Sequence, residues 1–96
     1  MSGEPRRYEV RIQAGAARAI SHRLPEAVAV AVLELCGAAL SENPWRVGKP
    51  LYGPLAGCHG ARRGTYRIVY RIDEEARRVD VLAIDHRADI YHHQRR

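Results

Sequence analysis

The chain of 96 residues lacks the features typical of membrane, secreted and disulfide-bonded proteins. It has no uninterrupted run of about 18 apolar residues, so no membrane-spanning helix is predicted. Its first ten residues contain no apolar segment of signal-peptide length. The two cysteines have no CxxC or Cys/His ligand spacing around them, which predicts two reduced thiols. These absences favour a cytoplasmic protein without membrane contact.

Several catalytic and cofactor-binding motifs are also missing. The sequence has no GxSxG nucleophile motif, no P-loop and no dinucleotide-binding motif, which argues against the corresponding hydrolases and nucleotide-binding enzymes. His86, His92 and His93 lie near the C-terminus, but their spacing matches no standard metal site. The sequence therefore predicts no metal and no cofactor.

Lysine is scarce, although the chain is basic. Lys and Arg number 16 against 11 Asp and Glu, the formal charge is +5, and Lys49 is the only lysine. Arginine makes bidentate contacts with phosphate and stacks on bases. The composition therefore favours a polyanionic partner such as RNA, DNA or an acidic protein. The alternative is a GC-rich genome that encodes arginine wherever a cation is tolerated.

The N-terminal half predicts a strand followed by two helices. Tyr8–Ile12 alternates apolar and charged residues, as a strand with one solvent-exposed face does. Ala16–Leu24 has a helical pattern that Pro25 interrupts, and a second helix then runs to residues 41–44. We expect the two helices to form a hairpin. The second helix is apolar nearly all round, so it needs the sheet on one side and the first helix or a partner protein on another.

The C-terminal half predicts antiparallel strands. Residues 43–60 are rich in proline and glycine and are expected to form an ordered loop. One strand is predicted before Gly64, a second over Thr65–Asp73, and a third over Arg78–His86 after a short turn. This order predicts a single α+β domain over residues 1–96, in which a mainly antiparallel sheet has helices on one face.

Arginines on these strands are the first candidates for a functional site. Arg67 lies at a strand-interior position, where a charged side chain needs solvent or a counter-charge. Arg87 follows the neighbouring strand, so hairpin pairing can bring it to the same side of the sheet, and Arg62 and Arg63 lie on the strand before. Such a cluster would bind a phosphodiester and stabilise negative charge in phosphoryl transfer. The alternative is a row of surface arginines paired with Asp73, Glu74, Asp80 and Asp85.

Four further side chains are candidates with an ordinary structural alternative. Tyr91 follows Arg87 by four residues and would stack on a base, or else pack the end of the chain onto the sheet. His86 and His59 are candidate proton acceptors near pH 7, or polar surface residues. Lys49 is either a loop cation that contacts nucleic acid or a solvated side chain.

Three motifs occur in the order of a known family: the loop GKPLYGPLAG, the strand GTYRIVY and the terminal HRADIY. Together they resemble the RelE/ParE superfamily of type II toxins, and most closely its RelE branch. The resemblance spans essentially the whole chain. It implies a small curved antiparallel sheet with an N-terminal helical hairpin on one face.

The resemblance implies a ribosome-dependent endoribonuclease, or mRNA interferase, that enters the decoding site and cleaves translated mRNA by attack of a 2′-hydroxyl on the adjacent phosphate. By position, Arg67 matches the arginine that stabilises the pentacoordinate phosphate, and Arg87 a second arginine that assists it. Tyr91 matches the aromatic that stacks on the nucleotide, and Arg62 a residue that contacts RNA. A cognate antitoxin would cover this surface and carry the complex to operator DNA.

The chain departs from the family pattern at two positions. Well-known RelE members have lysines seven and nine residues before the strand arginine, where this chain has Gly60 and Cys58. Either His59 or His86 would then supply the base, or cleavage would be slower and rely on substrate placement, or the chain would not cleave RNA. Two other hypotheses remain: a ParE-like inhibitor of DNA gyrase, which the arginines and terminal tyrosine argue against, and a non-catalytic module whose arginines bind RNA or an acidic antitoxin tail.

Overall fold

The computed structural model describes residues 7–86, in which five strands form one sheet. The strands are β1 (Glu9–Ile12), β2 (Lys49–Pro50), β3 (His59–Arg63), β4 (Tyr66–Asp73) and β5 (Arg78–His86). Their order across the sheet is β1-β5-β4-β3-β2. β1 runs parallel to β5, and all other neighbours are antiparallel. The predicted mainly antiparallel sheet is confirmed.

Helices α1 (Ala14–Arg18) and α2 (Glu26–Leu35) form the predicted hairpin, and each continues into a π-helical turn, over Ala19–Arg23 and Cys36–Leu40 respectively. Leu24, which precedes Pro25, has a ψ of 143°. This extended conformation is what a following proline imposes, and it ends the first helix. No helix within residues 7–86 is long and apolar enough to cross a membrane.

Residues 43–60 contain more regular structure than the predicted loop. They include the short helix α3 (Pro44–Val47), strand β2 and a 3-10 turn over Gly53–Leu55. β2 exists because Lys49 and Pro50 pair with β3. A two-residue strand has no periodicity of its own, so only this pairing between distant segments reveals it.

The helices cover one face of the sheet, which we call the helix face. Tyr66, Ile68 and Tyr70 of β4 point to this face and pack in one cluster with Val32 and Leu40 of the α2 segment. The Tyr70 hydroxyl is buried and donates a hydrogen bond to the backbone oxygen of Pro44 at 2.7 Å, which ties α3 to the sheet. Both cysteines are buried and free.

A hydrogen-bonded cluster closes one end of the sheet. Glu74, in the turn between β4 and β5, accepts hydrogen bonds from the Tyr8 hydroxyl at 2.7 Å and from Trp45 Nε1 at 2.8 Å. Arg77 donates to the same carboxylate at 2.8 Å. These donors, the Tyr8 hydroxyl foremost, hold the pKa of Glu74 below its usual value. The cluster joins three segments that are distant in sequence.

Candidate functional site

The face of the sheet opposite the helices, here called the open face, carries charged side chains in rows that cross the strands. In two rows the sign alternates from strand to strand. These rows contain three cations and three anions, so their charges cancel, and they consist of Glu9, Arg78 and Asp73, and of Arg11, Asp80 and Arg71. A third row consists of Arg62, Arg67 and Asp85.

This third row, the arginine row, is the one that places two cations side by side. Arg62 lies directly opposite Arg67, because the two-residue turn Gly64–Thr65 joins β3 to β4. Gly64 has a φ of +57°, which glycine adopts without strain. Like charges directly opposite each other destabilise a sheet. Binding of a further anion to this row would therefore relieve the repulsion between its two arginines.

Asp85 neutralises only one of these two arginines. Arg67 Nη2 donates to Asp85 Oδ2 at 2.8 Å, and the two side chains are 33% and 37% exposed. Arg62 is exposed and forms no ion pair with any residue between 7 and 86. The arginine row thus keeps a net positive charge and is partly open to solvent.

The guanidinium of Arg67 is not fully satisfied by its neighbours. Its Nε is buried and has no hydrogen-bond partner among residues 7–86. An unpaired buried donor costs about 1–3 kcal/mol. Since this cost is not offset within the described part of the chain, the position of Arg67 is not explained by the stability of the free protein, which is typical of functional side chains.

Lys49 also lies on the open face. It pairs directly with Gly60, which in turn pairs with Val69, so Lys49 belongs to the row next to the arginine row. Lys49 is exposed. It therefore adds a third cation beside Arg62 and Arg67.

Three predicted site residues lie on the helix face instead. Arg63 and His86 each pair directly with Tyr66, on opposite sides of β4, and therefore share its face. His59 pairs with Tyr70 and shares the face of that residue. The structure does not bring these three side chains together with Arg67. Arg87 and Tyr91 lie outside the described residues.

His59 sits in an aromatic environment. Its ring stacks on Tyr70 with 5.7 Å between centroids and meets Trp45 edge-on at 5.4 Å. Desolvation by burial lowers the pKa of His59, because the charged imidazolium is disfavoured there. Its Nδ1 is buried and has no partner among residues 7–86. A neutral imidazole is the state that this position favours.

A β-bulge decides which β5 side chains reach the open face. Arg71 and Tyr70 pair with Asp80 and Val81, whereas Val69 pairs with Ala83, so Leu82 is an extra residue in β5. Because of this extra residue, all following side chains lie on the face opposite to the one that regular alternation along β5 would give them. Sequence reasoning considered Asp85 only as one of several counter-charges, and alternation alone gives no signal for the bulge that places it opposite Arg67.

Comparison with known proteins identifies the family. Residues 6–91 match the model of the ParE toxin of type II toxin–antitoxin systems, parDE. Toxin RelG of Mycobacterium tuberculosis is 52% identical over 84 residues, covering 88% of this chain and 95% of its own length. Toxin RelE of the same organism is 48% identical over 84 residues, covering 88% and 86%.

Solved structures give the same assignment. The toxin–antitoxin complex RelBE2 from Mycobacterium tuberculosis contains a chain with a TM-score of 0.81 and 48% identity, covering 92% of this chain and 100% of its own. The isolated E. coli RelE toxin shares the fold, with a TM-score of 0.66 and 19% identity over 91% of this chain and 94% of its own. The protein described here therefore belongs to the RelE/ParE superfamily of type II toxins.

Proposed function

We propose that this toxin is an endoribonuclease that cleaves translated mRNA on the ribosome. The observation that carries the proposal is the arginine row, because it presents two adjacent guanidiniums, only one of them ion-paired, on a partly solvent-exposed face. Guanidiniums in this arrangement match the geometry of a phosphodiester. The relatives named RelG and RelE favour this activity over inhibition of DNA gyrase.

The proposed reaction is an internal transesterification. The 2′-hydroxyl oxygen attacks the adjacent phosphorus and loses its proton, the bond from phosphorus to the 5′-oxygen breaks, and that oxygen gains a proton. The products carry a 2′,3′-cyclic phosphate and a 5′-hydroxyl. Arg67 and Arg62 would stabilise the negative charge that develops on the phosphate oxygens. Arg87 and Tyr91 remain part of this proposal through the motif alone.

Charge stabilisation is the main contribution that the described residues offer. His59 and His86 point to the helix face, so neither faces a phosphate bound at the arginine row. Lys49 does lie on the open face and would contact the RNA backbone. One well-placed donor to a developing oxyanion contributes about 3 kcal/mol to catalysis in other enzymes. A chain without the two lysines of the family can therefore still accelerate cleavage.

We further propose that a cognate antitoxin helix binds to α2. Val30 and Leu33 lie one helical turn apart and are each 47% exposed, and exposed Ala27 extends the same apolar stripe. Such a stripe fits the apolar face of a partner helix. The antitoxin would also carry the complex to operator DNA, and the free toxin would act on cytoplasmic ribosomes.

Arg67→Ala and Arg71→Ala form a matched pair of variants for testing the proposed activity. Both residues lie on the open side of β4, but Arg71 belongs to a row of alternating charge. With wild type and Arg71→Ala we expect growth arrest and ribosome-dependent cuts, mapped by primer extension on translated mRNA. Arg67→Ala should lower cleavage roughly 100-fold or more.

Three outcomes would contradict the proposal. Growth arrest accompanied by DNA damage, without mRNA cuts, would favour the gyrase inhibitor. RNA binding without arrest or cuts would favour the non-catalytic module. Equal cleavage by wild type and Arg67→Ala would remove the arginine row from the reaction.

A further inference from the structure

We infer that Asp85 is a positioning residue that fixes the guanidinium of Arg67 for phosphate and limits the affinity of the arginine row for RNA in the ground state. This inference rests on the proposed function. Asp85 itself would not touch the scissile phosphate, because a carboxylate and a phosphodiester repel each other.

The backbone places Asp85 opposite Arg67 by means of the bulge. Before Leu82 in the chain, β5 pairs with β4 in the register that places Val81 opposite Tyr70. After Leu82 the register is shifted by one residue, so that Ala83 lies opposite Val69. Without that shift Arg67 would lie opposite Ile84, and Asp85 would point to the helix face. A local irregularity in β5 therefore creates the Arg67–Asp85 pair.

The contact fixes the guanidinium and leaves donors for a ligand. Asp85 Oδ2 accepts one hydrogen bond, from Nη2 of Arg67, at 2.8 Å. The other terminal nitrogen, Nη1, makes no hydrogen bond to any residue between 7 and 86. Arginine has five N–H donors in one plane, so a carboxylate on one corner restricts the plane while another corner remains available to a phosphate oxygen.

Stability does not explain this ion pair. Both side chains are about one-third exposed, and ion pairs of that exposure contribute little to folding. Catalytic geometry, in contrast, depends strongly on the orientation of the charged group. Asp85 also lowers the charge of the arginine row from two cations to a net single positive charge.

These two effects oppose each other in a variant without the carboxylate. Asp85→Asn keeps the size of the side chain and removes its charge. We expect RNA to bind about fivefold more tightly, the factor for one uncompensated unit charge at about 4 Å in water. We expect kcat to fall about 10- to 100-fold, because the neutral amide oxygen accepts a weaker hydrogen bond from Arg67 and its own N–H groups repel the guanidinium, so Arg67 is held less firmly in one orientation. A fall in KM together with a fall in kcat is the signature of this role.

The test combines a binding arm and a cleavage arm. Binding is measured by anisotropy with a single-stranded RNA carrying 2′-O-methyl groups, which cannot attack the phosphate, over a range of salt concentrations. Cleavage is measured on programmed ribosomes. Asp85→Glu, which retains the charge, should recover most of kcat and provides a second variant should Asp85→Asn fold poorly. Asp80→Asn is the matched control, since Asp80 lies on the same strand and face and forms an ion pair with Arg78. This variant should change neither kcat nor the affinity for RNA.

Several results would overturn the inference. Unchanged kcat and unchanged RNA affinity in Asp85→Asn would show that the carboxylate has no role. A weaker affinity together with a lower kcat would indicate a merely structural contact, and a higher kcat would make Asp85 an inhibitor of Arg67. If the wild type cleaves nothing, the proposed function fails, and the binding arm alone decides: equal affinity of wild type and Asp85→Asn refutes the role of Asp85.

Discussion

Arg62 and Arg67 lie side by side because a two-residue hairpin turn connects their strands. The turn Gly64–Thr65 fixes their register, and each guanidinium raises the cost of placing the other. A bound anion offsets this repulsion. Without the anion, the repulsion lowers the stability of the folded protein. Function and stability therefore make opposite demands on this pair.

The variant Arg62→Ala should show that the arginine pair has opposite effects on stability and on RNA affinity. Removing one cation relieves the repulsion, so the free energy of unfolding should rise by about 0.2–1 kcal/mol, while RNA affinity should fall. Urea unfolding at low salt measures the first effect, and the gain should shrink at high salt because screening weakens the repulsion. A loss of stability in Arg62→Ala would contradict this account of the row.

His59 should make stability depend on pH. Its pKa is lowered from 6.5 in the folded chain, so the unfolded chain binds more protons as the pH falls below that value. Stability is therefore fully present above about pH 7 and is lost as the pH falls through 6.5 toward the lowered pKa.

His59→Phe should flatten this part of the pH profile, because phenylalanine can occupy the same aromatic environment and does not titrate. The measurement is the urea midpoint between pH 7.5 and 5.5. His22→Gln, at an exposed helical position, should retain the wild-type dependence. An unchanged slope in His59→Phe would assign the dependence to another group.

At the scale of the element, β5 contributes apolar side chains to the core and charged side chains to the open face. Before the bulge Val79 and Val81 point into the core, and after it Ile84 does, with 2% exposure. In a regular strand the period of two would place Ile84 on the same face as Asp80. The bulge therefore keeps apolar residues buried on both sides of it and delivers Asp85 to the open face.

Insertion of one alanine between Ala83 and Ile84 should reverse the faces of the last three residues of β5, because Ile84 would then lie opposite Arg67 and Asp85 opposite Tyr66. Asp85 would then be forced toward the core and Ile84 toward solvent, so we expect a loss of several kcal/mol in the free energy of unfolding, as for other buried unpaired charges. Denaturant unfolding of the purified variant tests this. Leu82→Ala, which retains the residue count and the register, should cost clearly less; equal losses would mean that the reversal of faces is not the cause of the destabilisation.

At the scale of the whole molecule, the sheet separates two kinds of surface. The open face carries the arginine row, and the hairpin of α1 and α2 covers the other face. The exposed apolar stripe of α2 lies on the outer side of that hairpin. An antitoxin bound there would need a second segment to reach the arginine row, which suits a partner that wraps around the toxin.

Leu33→Asp should uncouple toxicity from neutralisation. Leu33 is 47% exposed, so the charge should have little effect on folding, and growth arrest should persist. Co-expression of the cognate antitoxin should rescue wild-type cells but not cells with the variant, because an aspartate would be buried against an apolar helix face. Glu34→Ala, on an exposed position of the same helix, should still be rescued. Rescue of Leu33→Asp would place the antitoxin elsewhere.

The sequence by itself determined the order of the two-helix hairpin and four of the five strands, the α+β fold and the outward direction of Arg67, since these follow from local periodicity and from the effects of proline and glycine. The tertiary structure decided which charges meet. β2 forms only by pairing with a distant strand, and the bulge at Leu82 moves His86 to the helix face and Asp85 beside Arg67. A one-residue shift of register leaves the pattern of apolar residues readable but reverses the face of each side chain that follows, so contacts between strands cannot be inferred from periodicity alone.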